Sequence, residues 1–414
     1  MREMKDSGVE WIGKIPADWQ VSRLKYLVSR KTEQAESGAK YIGLENIESF
    51  SGNYVESENP DFVAEGASIA TAPNDVIFGK LRPYLAKCYI VKETGSCSTE
   101  FIVMEPVGVD ASFLQLLLLN PSVVSHINMS TYGTKMPRAN WEIIGNVLVP
   151  YAPKEEQQKI VRYLSSVCSK IDNLLYLNRA QIEELRLYKQ SLITETVTRG
   201  LDPDAPMKDS GVDWIGAIPT DWTVFPSKYM FHESAERRKP DDEQLTASQK
   251  YGIISQEEYM ERENARVVMA DKGLENWKHV EPNDFVISLR SFQGGLEMSK
   301  VKGCVTWHYI VLRAARELEP DYYKWLFKSQ LYITALQRTC NYIRDGQDLR
   351  YSNFVAVPLC KPPLEEQKKI AAFLDGKISK IDALISLKQS KIEKLTRYRQ
   401  SLIYEYVTGK KEAP

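Results

Sequence analysis

The chain has 414 residues, 43% of them hydrophobic, and 54 Lys+Arg set against 55 Asp+Glu leave a formal net charge of −1. That size supplies the apolar cores of two or three domains. Near-neutrality excludes a partner held by overall basicity, so a polyanion would have to be met by local patches.

Six scattered cysteines (Cys88, Cys97, Cys168, Cys304, Cys340, Cys360) form no CxxC pair, which argues against a disulfide framework and against a zinc site. Arg2–Asp6 is charged, with no apolar signal core. The longest apolar run, Phe113–Leu119, is interrupted by Gln115 and is too short to span a bilayer. The expectation is a soluble, cytoplasmic protein without a membrane partner.

In chain order, the first feature is a segment that occurs twice. Met4–Trp19 reads MKDSGVEWIGKIPADW, and Met207–Trp222 reads MKDSGVDWIGAIPTDW, 203 residues later. A period that long means two whole domains, not a solenoid. The apolar residues Trp11, Ile12, Ile15, Pro16 and Trp19, with Trp214, Ile215, Ile218, Pro219 and Trp222, are expected to clamp each globular block to the distal end of a long helix. Direct contact with a partner protein is the alternative.

Residues 20–152 and 223–362 follow the two copies, 133 and 140 residues long. They share little sequence but keep landmarks. Tyr41-Ile42-Gly43 answers Tyr251-Gly252-Ile253, Asn74-Asp75 answers Asn283-Asp284, and Val149-Pro150 answers Val357-Pro358. Asp75–Phe78, Cys88–Val91 and Phe101–Met104 read as strands, and Leu114–Leu119 and Tyr322–Leu336 as helices. Both blocks are expected to be one α+β frame with divergent faces. In the first, GKLRPY carries Lys80, Arg82 and Tyr84, and YGTKMPR carries Lys135 and Arg138. In the second, SLRSFQGG carries Arg290 and Gln293, and YIRDGQDLR carries Arg344, Gln347 and Arg350. Glycine-rich turns bearing Arg, Lys, Gln and Tyr suit DNA, because Arg and Lys bond guanine or phosphate and Gln pairs with adenine. A solvated surface charge is the plain alternative for any one of them.

Pro153–Gly200 returns as Pro363–Lys410, offset by 210. Residues 155–198 contain neither Gly nor Pro, Glu155 and Glu156 stand at the start, and Arg199, Gly200 and Pro203 form a stop. The apolar steps Ile160, Leu164, Val167, Ile171 and Leu174 make a coiled-coil seam. It jumps eleven residues to Ile182 and continues at Leu185 and Leu192. The second copy runs Ile370, Leu374, Ile378 and Ile381, jumps to Ile392, and continues at Leu395 and Leu402. An eleven-residue step locally unwinds a left-handed supercoil. About 44 residues at 1.5 Å each give a helix of about 65 Å. An intramolecular antiparallel pair is expected; seams that cover their own domains or mediate oligomerisation are the alternatives.

This order resembles the specificity subunit of type I restriction–modification systems, over essentially the entire chain. The carriers are the doubled D-S-G-V-(E/D)-W-I-G-x-I-P-x-D-W motif, the doubled P-x-E-E-Q-x-K-I helix start and the doubled Y-(K/R)-Q-S-L-I-x-E helix end. The resemblance implies an α+β chain with two globular α/β target-recognition domains, separated by two long helices in an antiparallel coiled coil and related by a pseudo-twofold, near-circular repeat. The divisions are 1–152, 153–200, 201–362 and 363–414. It further implies that each block reads one half of a split, asymmetric double-stranded DNA target, while the helices dock two methyltransferase subunits and nuclease subunits join that core. AdoMet, ATP and Mg are then expected on the partner subunits only. The family's recognition residues vary, so no base contact carries over by motif. For the clamp residues, contact with the methyltransferase is the alternative to packing.

No catalytic residue is expected. The Asn-Pro-Pro-aromatic motif of an amino-methyltransferase is missing, since Asn120-Pro121-Ser122 and Asn59-Pro60-Asp61 lack its second proline and its aromatic, and no AdoMet loop or P-loop is found. Asp75 with Lys80 is the nearest approximation to a nuclease's metal site, without a matching carboxylate pattern. The histidines His126, His232, His279 and His308 have no metal-ligand spacing. A coiled-coil scaffold whose blocks bind protein, or a self-contained DNA-modifying enzyme, are the competing readings. Two heads on a stiff helix pair would meet one face of a duplex about one turn apart, about 34 Å. Adding or deleting about one heptad in both helices is therefore expected to change the unread spacer and leave both half-sites intact. Altered half-sites in the sequenced targets would refute the ruler.

Overall fold

The computed structural model describes residues 2–36, 38–56, 67–133, 135–264, 266, 273–288, 291–339 and 349–414. It divides into two compact units, Met1–Ala180 with Lys388–Pro414, and Gln181–Leu387. The division falls inside both long helices, Lys154–Arg199 and Leu364–Val407. Each unit therefore contains one sequence block, the start of one helix and the end of the other.

In the first unit, Ile160, Leu164, Cys168, Ile171 and Leu175 share a core with Leu402, Ile403, Tyr406 and Val407. The start of one helix thus lies against the end of the other, an antiparallel pairing. The second unit repeats it with Ile193 and Val197 against Ile370, Leu374, Ile378 and Ile381. The ion pairs are equivalent as well. Asp172 faces Arg399 at 2.9 Å in the first unit, and Asp382 faces Lys189 at 2.6 Å in the second. Both carboxylates and both cations are related by the same 210-residue offset.

The seam corrects the sequence reading in one place. Leu174 is 41% exposed, and its neighbour Leu175 is buried. Val167 is half-buried beside buried Cys168, and Leu185, Leu192, Ile392 and Leu395 are likewise half-buried. With Leu175 and Asn178 inside, the step from Ile171 to Ile182 is not a gap but 4, 3 and 4 residues. Eleven residues over three turns nearly match a straight helix, so the buried face continues without a break.

Each block is built around a four-stranded sheet. In the first unit the order is Val28–Lys31, Phe101–Pro106, Val76–Gly79, Cys88–Ile90, and in the second Phe231–Glu233, Ile310–Ala314, Phe285–Ile287, Glu297–Met298. Smaller sheets of two or three strands accompany each. The register shows which positions correspond, and two landmarks move. The Ser96 amide donates to the Lys40 carbonyl and the Cys304 amide to the Glu243 carbonyl, both at 2.8 Å, so Tyr41-Ile42 corresponds to Gln244-Leu245 and not to Tyr251. Pro150 pairs with Val21 and Cys360 with Val224, which puts Val149-Pro150 opposite Leu359-Cys360 and not Val357-Pro358. Tyr322–Leu336 is two helices, Pro320–Leu326 and Gln330–Arg338. The break comes from Ser329, whose side chain caps the second helix at the Tyr332 amide and donates to the Leu326 carbonyl.

The repeated motif forms a hairpin in each unit, Met4–Asp6 with Lys14–Pro16 and Met207–Asp209 with Ala217–Pro219. It sits where one long helix starts and the other ends. The buried Trp19 indole donates to Glu156 at 2.8 Å, and the buried Trp222 indole donates to Glu366 at 2.8 Å. Ile15 and Ile218 are buried beneath them, while Trp11 and Trp214 are half-buried against the same cores. The helix ends close on the same residues. A side chain at Gly409 would strike Pro16, and one at Gly200 would meet Glu366 and Trp222, and both glycines have positive φ. The next residue, Gln157 or Gln367, ties the globular block to the helix. Its oxygen accepts from the Asp110 or Glu319 amide at 2.9 Å, and its nitrogen donates to Ala152 or Pro362 at 2.8 Å. Trp222→Phe removes the indole donor from the half-buried Glu366 carboxylate together with part of a buried ring, so it is expected to cost about 2–4 kcal/mol. Denaturant unfolding checks it, and Trp19→Phe should cost less, because Arg2 still donates to both oxygens of Glu156. A loss under about 0.5 kcal/mol would show that the indole bond is incidental.

Candidate nucleic-acid interface

In the first unit, Lys80–Leu81 leaves the end of strand Val76–Gly79, and the segment from Tyr132 to Ala139 returns beside it. Backbone bonds hold the two together. The Arg82 amide donates to the Pro137 carbonyl at 2.8 Å and the Ala139 amide to the Lys80 carbonyl at 2.9 Å. Arg138 and Tyr132 exchange a second pair of bonds at 3.0 and 3.1 Å. The loops bearing Lys80, Arg82 and Tyr84 and those bearing Lys135 and Arg138 are therefore one surface. Arg82 takes φ 50°, which turns the chain sharply into the short helical turn Pro83–Leu85.

A cleft opens under this surface, lined among others by Arg30, Lys31, Lys80, Glu100, Tyr132 and Trp141. Arg138 bonds Glu100 at 2.8 Å, whereas among the described residues Lys80, Arg82 and Lys135 form no ion pair. Arg82, Tyr84 and Lys135 are exposed and Lys80 is half-buried. Arg30, on strand Val28–Lys31, lies over the Trp141 ring at 5.9 Å from its centroid. Unpaired cations interleaved with Tyr and Trp, at the mouth of a cleft, match the phosphate and base chemistry of DNA.

Arg30 and Trp141 were not singled out from sequence. Arg30 lies on an outer strand with no motif around it. Asn140-Trp141 carried a faint signal, because the Asn140 side chain caps the following helix at the Ile143 amide, 3.0 Å away. The Asn-Asp landmark, by contrast, is structural. Asn74 and Asn283 have φ 72° and 73°, and the carboxylates behind them accept from the Ala72 and Glu281 amides at 2.8 and 2.9 Å. Asp75 is buried against Lys31 at 2.8 Å, not against Lys80, and Asp284 is buried against Arg313 at 2.8 Å. Asp75 is thus occupied as a structural ion pair.

In the second unit, Arg290, Arg344 and Gln347 lie outside the described residues. Gln293 is exposed on the short helix Ser291–Gly294. Arg350 is exposed immediately before helix Tyr351–Val355, and its amide donates to Asn353 at 2.9 Å. Gln293 follows the end of strand Phe285–Ile287, the counterpart of the strand that leads into Lys80.

Among the described residues the cysteines are buried. Burial pushes the Cys88 thiol up, and the Cys97 and Cys360 thiols up to about 12, which keeps them neutral and non-nucleophilic at pH 7. His279 is fully buried between Asp242 and Glu281, each at 2.7 Å.

Residues 16–185 and 219–397 each match the type I restriction modification DNA specificity domain. Among curated proteins, the chain is 25% identical over 225 residues to the type I restriction enzyme MjaVIII specificity subunit of Methanocaldococcus jannaschii, covering 52% of this chain and 49% of that one. The first match thus spans about half of its relative's length. It is 24% identical over 413 residues to the putative type I restriction enzyme MjaX specificity subunit of the same organism, covering 90% and 89%. A solved chain from work on complex assembly and conformational transition of the type I R-M system aligns with a TM-score of 0.69 at 19% identity, over 95% of this chain and 98% of that one.

Proposed function

The chain belongs to the type I restriction modification DNA specificity family, with two copies of its domain, and on that premise we propose that it selects a bipartite, asymmetric DNA target for a restriction–modification complex. Each globular block reads one half-site. The observation that carries this is the paired loop surface of the first unit, where Lys80, Arg82 and Lys135 stand without ion-pair partners among the described residues around a cleft holding Arg30 and Trp141. A set of open cations gathered beside aromatic rings is poised for phosphates and bases. The second block offers Gln293 after the corresponding strand end and an exposed Arg350 before helix Tyr351–Val355, so its chemistry, and its half-site, differ.

Methyltransferase subunits are the partners on the long helices, and nuclease subunits join them. AdoMet, ATP and Mg belong to those partners, and this chain contributes recognition and no catalytic residue. Thiols held neutral by burial and a carboxylate locked to Lys31 support that division of labour.

Fluorescence anisotropy on a labelled duplex bearing the mapped target, with the methyltransferase partner present, tests the reading. Lys80→Ala with Arg82→Ala is expected to weaken binding about tenfold or more and to lower the slope of log K against log salt by about two, one per phosphate contact. Salt-independent binding, or none to DNA with firm binding to the protein partner, would favour a scaffold instead.

A further inference from the structure

A third element stands at the cleft, contributed by a turn that neither repeated loop contains. In the first unit Thr99 and Glu100 join strand Gly95–Ser98 to strand Phe101–Pro106. Phe101 pairs with Gly79, so Glu100 abuts Lys80, whose amide donates to its carbonyl at 2.9 Å. One carboxylate oxygen of Glu100 accepts from Arg138 at 2.8 Å. The other, Oε2, is buried with no hydrogen-bond partner among the described residues. A buried carboxylate oxygen without a donor is costly, and its residue lines a cleft shared by Arg30, Lys31, Lys80 and Arg138 with one further carboxylate, Glu142. A carboxylate repels phosphate and can accept from an amino group.

The register locates the same turn in the second unit. Ile310 pairs with Ile287 as Ile102 pairs with Phe78, which puts Trp307 and His308 in the places of Thr99 and Glu100. Trp307 is 56% exposed. Its ring stacks on that of His308, with centroids 3.4 Å apart and planes at 27°. This is no core packing. The imidazole covers one face of the indole, and the remainder is a flat apolar surface presented to solvent beside the strand end that leads into Ser288.

We propose that this turn is a base-reading element in both domains, with Glu100 accepting from the exocyclic amino group of a cytosine or adenine and Trp307, backed by His308, meeting a thymine methyl. The major groove displays these features at distinct positions, and carboxylates accept from cytosine N4 while apolar groups contact the thymine methyl. Arg138 fixes the carboxylate for the first contact, and the stacked His308 limits the rotation of the indole for the second. The inference rests on the DNA-reading function proposed above and adds which base features the two halves require.

Methylome sequencing of cells that express the chain with its methyltransferase partner tests it. Glu100→Gln is expected to relax one position in one half-site, where the wild type demands an amino-bearing base, by about tenfold or more in relative methylation. Trp307→Ala should relax one thymine position in the other half-site by a similar factor and leave the first untouched. Because Trp307 is exposed, its removal leaves the core intact; Glu100→Asp, which keeps a charge for Arg138 but withdraws it, substitutes if Glu100→Gln does not accumulate. Unchanged half-sites, or a uniform loss at every site without a change of sequence, would overturn the inference. A wild-type chain that directs no bipartite methylation at all would instead sink the DNA-reading function on which it rests.

Discussion

In both units an indole N–H is donated to a glutamate in the first turn of a long helix, and this bond organises what surrounds it. The carboxylate sits at the positive end of the helix dipole, where it is stabilised. Burial alone would push such a carboxyl up, as it does at Glu366, and the Trp222 indole pulls the other way. Glu156 also pairs with Arg2, which lies 5.8 Å from the Trp19 ring centroid, and the second copy of the motif has alanine at the equivalent position, Ala205. The clamp therefore joins three elements in each unit: a hairpin, the start of one helix and the glycine that ends the other. The neighbouring glutamine adds the globular block through two further bonds.

Given that anchor, the helix pairing follows. The doubled ion pairs, Asp172 with Arg399 and Asp382 with Lys189, show that one antiparallel arrangement is used twice. They are not equal in surroundings. Arg399 is buried and also donates to the Phe50 and Ser51 carbonyls at 2.8 and 2.9 Å, which ties a loop of the first block to the helices. Burial raises the Asp172 carboxyl and Arg399 opposes the rise. Lys189 has a compact ammonium in place of the guanidinium fork and stays largely at the surface with Asp382. Selection has thus kept one pairing geometry while the contacts to each block diverged.

The proposed reading surfaces show the same division. Strands that end at corresponding points deliver Lys80 in one unit and Ser288 in the other, and the turns beside them deliver Glu100 and Trp307-His308. A shared frame fixes where a side chain arrives, and its identity sets what base it prefers. Asn74-Asp75 and Asn283-Asp284 belong to the frame, since each aspartate closes its own turn and finds a cation from a different strand.

The sequence by itself determined the duplication, the two long helices, the blocks between them and the family, because repeats and helical periodicity are local and survive divergence. It also placed the loops around Lys80 and Arg138 in the chain, but not beside each other. That required the backbone bonds from Arg82 to Pro137 and from Ala139 to Lys80, contacts between segments far apart in sequence. Tertiary structure alone decided that Leu175 and not Leu174 faces inward, since one residue of helical phase is about 100° and several apolar neighbours compete for the seam. It alone matched Tyr41 to Gln244, because strand register follows hydrogen bonds and not residue identity. And it alone put Glu100 and Trp307-His308 in matching turns, since a lone glutamate or tryptophan in a turn carries no signal until the strands on either side are paired.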